Sequence, residues 1–330
     1  MTNLDLLFTT TRSQGRAALI GYLPAGFPTV DGSIELLTAM IDGGCDLVEV
    51  GMPFSDPVLD GPVIQHAALT ALTAGFHTAD LFRVVAGVTR AGGRSVVMTY
   101  FNPVLAYGVQ KFARDLAAAG GSGVITPDLI VDEAGPWLAA AHESELAPIF
   151  LVAPSSPAER IALTAAATRG FLYAASTMGV TGARNQVSAA APELVARCRA
   201  VTDLPIGVGL GVRTGDQAAE IAGFADAVIV GSAFVSAAES GGVNAVRDLA
   251  AELADGVRRG APTTSTPTTS TPPTSTSTTS TPPTSTSTTS TSTTSTPTTS
   301  TPTTSTSTTS TSTTSNLAAH SAPAREASPA

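Results

Sequence analysis

The sequence predicts an α/β fold, a (β/α)8 or TIM barrel that is followed by a disordered C-terminal tail. Two patterns within residues 1–260 predict the barrel. Short apolar runs alternate eight times with helical stretches, as in parallel strands that are connected by helices. The runs also lack a clean alternation of apolar and polar residues, as expected when helices cover the outside of the sheet and side chains fill its inside. A change of composition after residue 260 predicts the tail.

The first half of the predicted barrel has four strands, and a short lead-in helix over residues 3–12 precedes them. The first helix between strands carries Ile34, Leu37 and Ile41 at helical spacing and ends at a pair of glycines, Gly43 and Gly44. The predicted elements are, in chain order, strand 17–23, helix 29–42, strand 46–50, helices 63–74 and 79–90, strand 95–100, helix 109–119 and strand 123–126.

The second half repeats this pattern. Its predicted elements are helix 132–141, strand 148–152, helix 157–168, strand 171–175, helix 185–201, strand 206–209, helix 214–222, strand 226–230 and a last helix that ends near residue 258. Eight strand and helix pairs in about 250 residues favour a closed barrel over an open doubly wound sheet. We therefore predict one TIM-barrel catalytic domain over residues 1–260.

The last part of the chain has a composition that cannot fold. Residues 261–315 contain only alanine, proline, threonine and serine, mostly as PTTST and STTST repeats. A segment without charged, aromatic or large aliphatic side chains cannot bury enough surface to offset the entropy lost on ordering. We predict that residues 261–330 form a disordered, Thr/Ser/Pro-rich low-complexity tail.

The composition also excludes several kinds of partner. The formal net charge is −9, and an excess of acid argues against nucleic acid or an anionic membrane as the main partner. The N-terminal residues are too polar for a signal peptide, and no run of about 18 apolar residues occurs. The expected location is the cytoplasm.

The residues that usually carry metals and covalent cofactors are sparse. Cys45 and Cys198 are far apart and are predicted to be small core residues, and the four histidines show neither HxH nor HExxH spacing. Lys111 is the only lysine and lies in a polar helix, whereas a Schiff-base lysine is expected at a desolvated position. We expect neither a metal nor a cofactor in this chain.

The segment EVGMPFSDPVLDGP, residues 49–62, places two carboxylates at the end of a buried strand. Glu49 lies among valines at the strand tip, where poor solvation favours its protonated form, whereas Asp60 lies in a Gly/Pro loop where it can stay ionised. Such a pair suits one proton donor and one anion. A purely structural alternative remains open at this point, in which Glu49 pairs with a buried arginine and Asp60 caps the next helix.

Two glycine motifs follow the last two predicted strands. GVGLG ends at Gly211, and Gly231 is followed by Ser232, which opens a helix. Exposed backbone N–H groups at such a helix start favour an anion, and this corner of a TIM barrel commonly binds phosphate. The motifs together predict a phosphate site. The alternative is that they are only tight turns between a strand and a helix.

The loop over residues 176–184 is glycine-rich and long enough to cover a ligand. We interpret it as a mobile lid over the carboxyl end of the barrel. A plain flexible connection is the alternative.

Several of these motifs together resemble the tryptophan synthase α chain family. The resemblance covers nearly all of residues 1–258 in order, and the PFSDP…DGP loop combined with GVTG is its most specific part. The further matching segments are YFNP at 100–103, PDL at 127–129, APIF at 147–150, Tyr173, GLG at 209–211 and GSA at 231–233.

The resemblance implies a lyase of tryptophan biosynthesis that cleaves indole-3-glycerol phosphate to indole and glyceraldehyde 3-phosphate. It also implies an α2β2 complex with a β chain that holds pyridoxal phosphate. In the family's terms, Glu49 and Asp60 match the catalytic pair. The residues that the resemblance places in the substrate site are Tyr100, Tyr173, Thr181, Gly182, Gly211, Gly231 and Ser232. Two features depart from the family: Thr177-Met178 replaces an Arg-Ala of some members before the GVTG motif, and the tail is not a family feature.

Three alternatives to this function remain. The chain could be a related phosphosugar isomerase barrel, although the PFSDP loop argues against it. It could be a catalytically weak α-type module that mainly activates a β partner, against which the presence of both Glu49 and Asp60 speaks. The tail could make it a mucin-like stalk on a surface protein, against which the predicted lack of a signal peptide counts.

Overall fold

A computed structural model of the chain describes residues 2–175, 190–209 and 211–260. The predicted lid over 176–184, the start of the predicted helix at 185–189 and the predicted tail over 261–330 lie outside the described residues. Within the described ranges, the strands are β1 Ala18–Pro24, β2 Leu47–Gly51, β3 Ser95–Met98, β4 Gly123–Ile125, β5 Ala147–Ile149, β6 Leu151–Val152, β7 Leu172–Ala175, β8 Ile206–Gly209 and β9 Ala227–Val230.

The strands form one parallel sheet that closes into a barrel, as the sequence predicts. Their order is β5-β4-β3-β2-β1-β9-β8-β7-β6, so the two ends of the sheet are β5 and β6. Only Phe150 separates β5 from β6 in the chain, and its carbonyl oxygen accepts a hydrogen bond of 3.1 Å from the amide of Tyr173 on β7. The fifth predicted strand is therefore present in two pieces that together close the barrel.

Eleven helices are described around the sheet. They are α1 Asn3–Ser13, α2 Val30–Gly43, α3 Pro62–Thr73, α4 Thr78–Arg90, α5 Phe101–Tyr107, α6 Val109–Ala118, α7 Gly135–Glu143, α8 Ala158–Ala167, α9 Ala190–Arg199, α10 Gly215–Ala222 and α11 Ser232–Arg259. A 3-10 turn over Val131–Glu133 precedes α7, and α11 is broken by a non-helical conformation at Gly242.

Local signals in the sequence explain several helix ends. The side chain of Thr29 accepts a hydrogen bond from the amide of Gly32 at the start of α2, and Thr214 accepts one from Gln217 at the start of α10. Helix α2 ends at Gly44, whose φ of 116° lies in the left-handed region that favours glycine.

Helix α5 was not predicted. The sequence predicts a strand through Tyr100, but β3 ends at Met98 and the chain turns into α5 at Phe101. Pro103 is compatible with this start because a proline in the first helical turn removes no intrahelical hydrogen bond. The carboxylate of Asp128, which is 27 residues further along the chain, accepts a hydrogen bond of 3.0 Å from the backbone amide of Phe101. This tertiary contact stabilises the helix start.

Side chains fill the barrel interior in one continuous apolar cluster. Its members include Ile20, Leu47, Val96 and Ile149 from four strands, and Phe171, which immediately precedes β7. Leu4, Leu7 and Phe8 of α1 belong to the same cluster, so α1 closes the amino end of the barrel and leaves the carboxyl end for function. A second cluster packs the helices on the outer face of the sheet and contains both free cysteines, Cys45 and Cys198, as predicted.

Candidate active site

Glu49 lies on β2 at the carboxyl end of the barrel and is buried, with 1% of its surface exposed. No residue of the described ranges donates a hydrogen bond to its Oε1 atom, and no arginine pairs with it there. The alternative of a buried ion pair is therefore wrong for the described part of the chain. Burial raises the pKa of Glu49 to about 8, because the charged form is poorly solvated. The carboxyl group is mainly protonated at neutral pH.

Asp60 lies in the loop between β2 and α3, next to the same end of the barrel. Helix α3 begins after Gly61, and no side-chain hydrogen bond caps it, so Asp60 does not serve as its cap. Burial raises the pKa of Asp60 to about 6, which corrects the expectation of a well-solvated carboxylate. The order of the two pKa values is nevertheless the predicted one. At pH 7 Asp60 is mainly ionised and Glu49 is mainly protonated.

Tyr100 follows β3 and holds the loop that carries Asp60. Its hydroxyl oxygen accepts a hydrogen bond of 2.9 Å from the amide of Leu59. The ring of Phe54 packs against the Tyr100 ring with a centroid distance of 5.2 Å. The aromatic pair and the hydrogen bond hold two points of the loop, Phe54 and Leu59, against Tyr100, and they explain why Asp60 is less exposed than its Gly/Pro surroundings suggest.

Tyr173 lies on β7, which is across the barrel from β2 in the strand order. Its ring covers Gly209 of β8, because a Cβ atom at Gly209 would lie only 2.4 Å from the Tyr173 hydroxyl oxygen. Burial, and to a smaller extent the charge of Glu49, raise the pKa of Tyr173 well above its usual value. Tyr173 thus forms the wall of the site that faces Glu49.

Tyr22 belongs to the site although sequence analysis did not select it. It is the direct neighbour of Glu49 across the β1–β2 pair and is buried. Burial raises its pKa well above the usual value, and the charges of Asp60 and Glu49 add to this effect. A signal was available: Tyr22 lies two residues after the inward-facing Ile20 at the carboxyl end of the first strand.

The predicted phosphate residues flank the start of α11. Gly231 immediately precedes this helix, and Ser232 is its first residue and is buried. A Cβ atom at Gly231 would lie 3.4 Å from Cδ1 of Tyr22, so the start of α11 adjoins the wall that Tyr22 forms. Gly211 has a φ of 64°, in the left-handed region that favours glycine. Thr181 and Gly182, the other two predicted residues of this end, lie outside the described ranges.

Three further findings bear on the kind of chemistry. Within the described ranges, no group of three or more His, Cys, Asp or Glu side chains could hold a metal ion. Lys111 lies on α6, where its ammonium group pairs with Asp115 at 2.9 Å and its side chain is 55% exposed rather than desolvated. Among the same residues, no helix has the length and apolar character needed to span a bilayer.

Comparison with known proteins identifies one family. The model of the family described as tryptophan synthase alpha chain matches residues 8–259. The tryptophan synthase alpha chain of Mycobacterium intracellulare is 59% identical over 260 residues, which are 79% of this chain and 96% of that protein. The corresponding protein of Nocardia farcinica is 63% identical over 251 residues, or 76% of this chain and 94% of that one.

Solved structures give the same result. A chain in a structure of Mycobacterium tuberculosis tryptophan synthase is 59% identical and superposes with a TM-score of 0.75, covering 78% of this chain and 98% of that one. A form of the same enzyme described as aminoacrylate-bound is 55% identical, with a TM-score of 0.73 over 78% of this chain and 100% of that one. The similarity therefore spans the whole barrel.

Proposed function

Because the chain belongs to the tryptophan synthase alpha chain family, we propose that it cleaves indole-3-glycerol phosphate to indole and glyceraldehyde 3-phosphate at the site of Glu49 and Asp60. The chain is the alpha subunit of a tryptophan synthase, a lyase of tryptophan biosynthesis. The observation that carries the proposed reaction is a pair of carboxyl groups at one barrel end with different pKa values.

The chemistry requires an acid that later becomes a base. Protonated Glu49 delivers its proton to C3 of the indole ring, which removes the aromaticity and leaves positive charge on the N1–H group. The Glu49 carboxylate then accepts the proton of the hydroxyl on the adjoining glycerol carbon. As that carbon becomes the aldehyde, the C–C bond breaks and its electron pair restores the aromatic indole. Protons and electrons balance without a metal or a Schiff base.

Asp60 supplies the negative charge that this sequence needs. An ionised carboxylate beside the indole N1–H group stabilises the charge that develops when C3 is protonated. The mean of the two pKa values, about 8 and about 6, falls near neutral pH, so the required combination of acid and anion predominates there.

The other end of the substrate carries a phosphate. We assign it to the start of α11, where Gly231 and Ser232 offer backbone N–H groups and a hydroxyl at the positive end of a long helix. We also assign to the phosphate site Gly211, from the loop after β8, and Thr181 and Gly182, from the segment that we interpret as a lid. Tyr100 and Tyr173 hold the indole end, since Tyr100 lies beside Asp60 and Tyr173 lies beside Glu49.

We propose further that the working form is an α2β2 complex in the cytoplasm. The neighbours in the solved structures are tryptophan synthases. We assign pyridoxal phosphate to the β chain and no cofactor to this chain. We also assign catalysis to residues 1–260 alone and none to the tail over 261–330.

Three large apolar side chains are exposed after neighbouring strands and mark the β-chain surface. Val58, Leu105 and Ile130 follow β2, β3 and β4 and are 69%, 55% and 54% exposed. Exposed apolar residues that gather in one sector of a surface indicate a protein interface. We therefore place the β chain on this sector of the carboxyl-end rim.

The rim assignment predicts the effect of one charge. A β chain is expected to raise the rate of cleavage, because docking favours the assembled form of the site. Leu105→Asp should raise the β-chain concentration that is needed for half-maximal activation by about tenfold or more. The reason is that a charge at the core of an interface is costly. Leu163→Asp is the matched control, because Leu163 is also exposed but lies on α8. Equal effects of the two substitutions would contradict the assignment.

The proposed function itself is tested by incubating the purified chain with indole-3-glycerol phosphate and measuring indole and glyceraldehyde 3-phosphate. We expect both products in equal amounts. A chain that releases no indole alone but still activates a β chain would support the binding module instead. Isomerisation of a phosphosugar without indole release would support the isomerase.

A further inference from the structure

The hydroxyl group of Tyr22 occupies a defined position above Glu49. Residues Tyr22 and Glu49 are paired across β1 and β2, and Gly51 is the next residue of β2 on the same side. A Cβ atom at Gly51 would lie 2.4 Å from the Tyr22 hydroxyl oxygen and 2.6 Å from two of its ring atoms. The Tyr22 side chain therefore lies across β2, with its hydroxyl group one inward position beyond Glu49, towards the loop of Asp60.

The other end of the Tyr22 side chain lies beside the proposed phosphate site. A Cβ atom at Gly231 would meet Cδ1 and Cβ of Tyr22 at 3.4 and 3.7 Å. Tyr22 thus extends from the start of α11, where we place the phosphate, to the two carboxyl groups, where we place the indole. Its hydroxyl group lies at the indole end.

The groups that face this hydroxyl group come from every neighbouring part of the site. The titratable groups whose charges act on Tyr22 are Asp60 in the loop, Glu49 on β2, Tyr100 just before α5 and Tyr173 on β7. Ile64 of α3 and Gly231 before α11 contribute no titratable group. Burial is the main reason why the pKa of Tyr22 is well above its usual value, so the hydroxyl group keeps its proton and can act only as a donor to an anion.

The hydroxyl groups in the site are not equivalent. The Tyr100 hydroxyl oxygen is engaged by the amide of Leu59. The Tyr22 hydroxyl group forms no hydrogen bond with any of the residues that the structure describes, and unlike the rest of this buried side chain its oxygen is not closed off from the site. A tyrosine hydroxyl group that is accessible from the site and has no acceptor in the protein is free to donate to a nearby carboxylate when a ligand displaces water.

We propose that the Tyr22 hydroxyl group donates a hydrogen bond to the Asp60 carboxylate when substrate is bound, and thereby holds Asp60 ionised and aimed at the indole N–H group. Asp60 is the preferred acceptor because it is the ionised member of the pair, and hydrogen bonds to a charged acceptor are the stronger ones. Glu49 keeps its proton for C3 of the ring. Tyr22 is in this scheme a positioning residue that acts through Asp60, and the proposal rests on the proposed function.

The test is Tyr22→Phe, which keeps the ring over Gly51 and removes only the hydroxyl group. We expect kcat for cleavage of indole-3-glycerol phosphate to fall roughly 10- to 100-fold, the range for a lost hydrogen bond to a charged group. The limb of the kcat profile at low pH should move to higher pH, because Asp60 loses a donor that favours its charged form. The limb at high pH, which belongs to Glu49, should stay in place.

The matched control is Tyr107→Phe, because Tyr107 is the one tyrosine outside the site and packs against Phe82 and Phe112 instead. It should leave kcat and both limbs unchanged. A Tyr22→Phe variant with kcat within about twofold of wild type, or with an unchanged limb at low pH, would overturn the proposal. So would a change confined to KM, since that outcome would assign Tyr22 to binding alone.

A second measurement does not depend on turnover. The pKa of Asp60 can be followed by carbon NMR of its carboxyl group in the wild type and in Tyr22→Phe, each saturated with indole. A higher pKa in the variant is expected, and equal values would overturn the proposal. If the wild type forms no indole from indole-3-glycerol phosphate, the proposed function fails, whereas this titration still reports whether Tyr22 and Asp60 interact.

Discussion

Replacing Glu49 by glutamine is expected to reduce indole formation by about 10²-fold or more, the range for loss of a general acid and base. The amide has nearly the same shape as the protonated carboxyl group but cannot transfer a proton. No group in the described part of the chain pairs with Glu49 Oε1, so the substitution breaks no interaction of the core. The loss should therefore appear in kcat, with binding of the substrate largely retained.

The fold of this variant should be at least as stable as that of the wild type. The pKa of Glu49 is raised in the folded state, from an ordinary 4.5 to about 8, so the folded state binds more protons than the unfolded one between these values. Wild-type stability is thus lowered as the pH rises through this window, whereas glutamine does not titrate. We expect the Tm of the variant to exceed that of the wild type increasingly from about pH 5 to pH 8.

The assay is indole release by the purified variant, with Glu143→Gln as the control, because Glu143 is an exposed residue of α7. The control should retain wild-type kcat. The wild type should lose activity as the pH rises through about 8, where Glu49 loses its proton. Turnover near the wild-type level in Glu49→Gln would remove Glu49 from the mechanism.

The sequence is informative about the barrel because the strands and helices of this fold repeat in chain order. Every predicted strand within the described ranges is present, and Gly44 ends α2 where the glycine pair predicts. Helix α5 was missed because its start depends on Asp128, which is distant in sequence. Local propensity contains no information about such a contact.

In the candidate site, too, the features set by local sequence were predicted and those set by distant contacts were not. Glu49 was selected because burial at a strand tip can be inferred from its valine neighbours. The position of Tyr22 near the carboxyl end of the first strand could be seen in the sequence, but its pairing with Glu49 could not, because that pairing arises from the register of β1 and β2 and no local pattern states which residues of two strands are opposite. The burial of Asp60 was underestimated because Tyr100 and Phe54 hold its loop against the barrel.

Replacing Asp60 by asparagine is expected to impair cleavage severely, by about 10²-fold, because it removes the charge that stabilises the protonated indole. Asparagine is close to aspartate in shape, and no hydrogen bond to the Asp60 carboxylate is described that the amide would break. The backbone carbonyl oxygen of Asp60 accepts a hydrogen bond of 2.8 Å from the side-chain amide of Gln65, and the substitution does not affect this bond. The loop should keep its conformation, and only the charge is lost.

The pH dependence separates this role from a structural one. In the wild type, the ionised fraction of Asp60 decreases as the pH falls through about 6, so kcat should fall there. Asp60→Asn has no group to titrate, so its low residual activity should lack this limb and keep only the fall near pH 8 that belongs to Glu49. Asp56→Asn is the matched control, since Asp56 is exposed in the same loop and should retain both the rate and the limb. A persistent limb near pH 6 in Asp60→Asn would show that another group titrates there, and the charge that stabilises the indole would have to be assigned elsewhere.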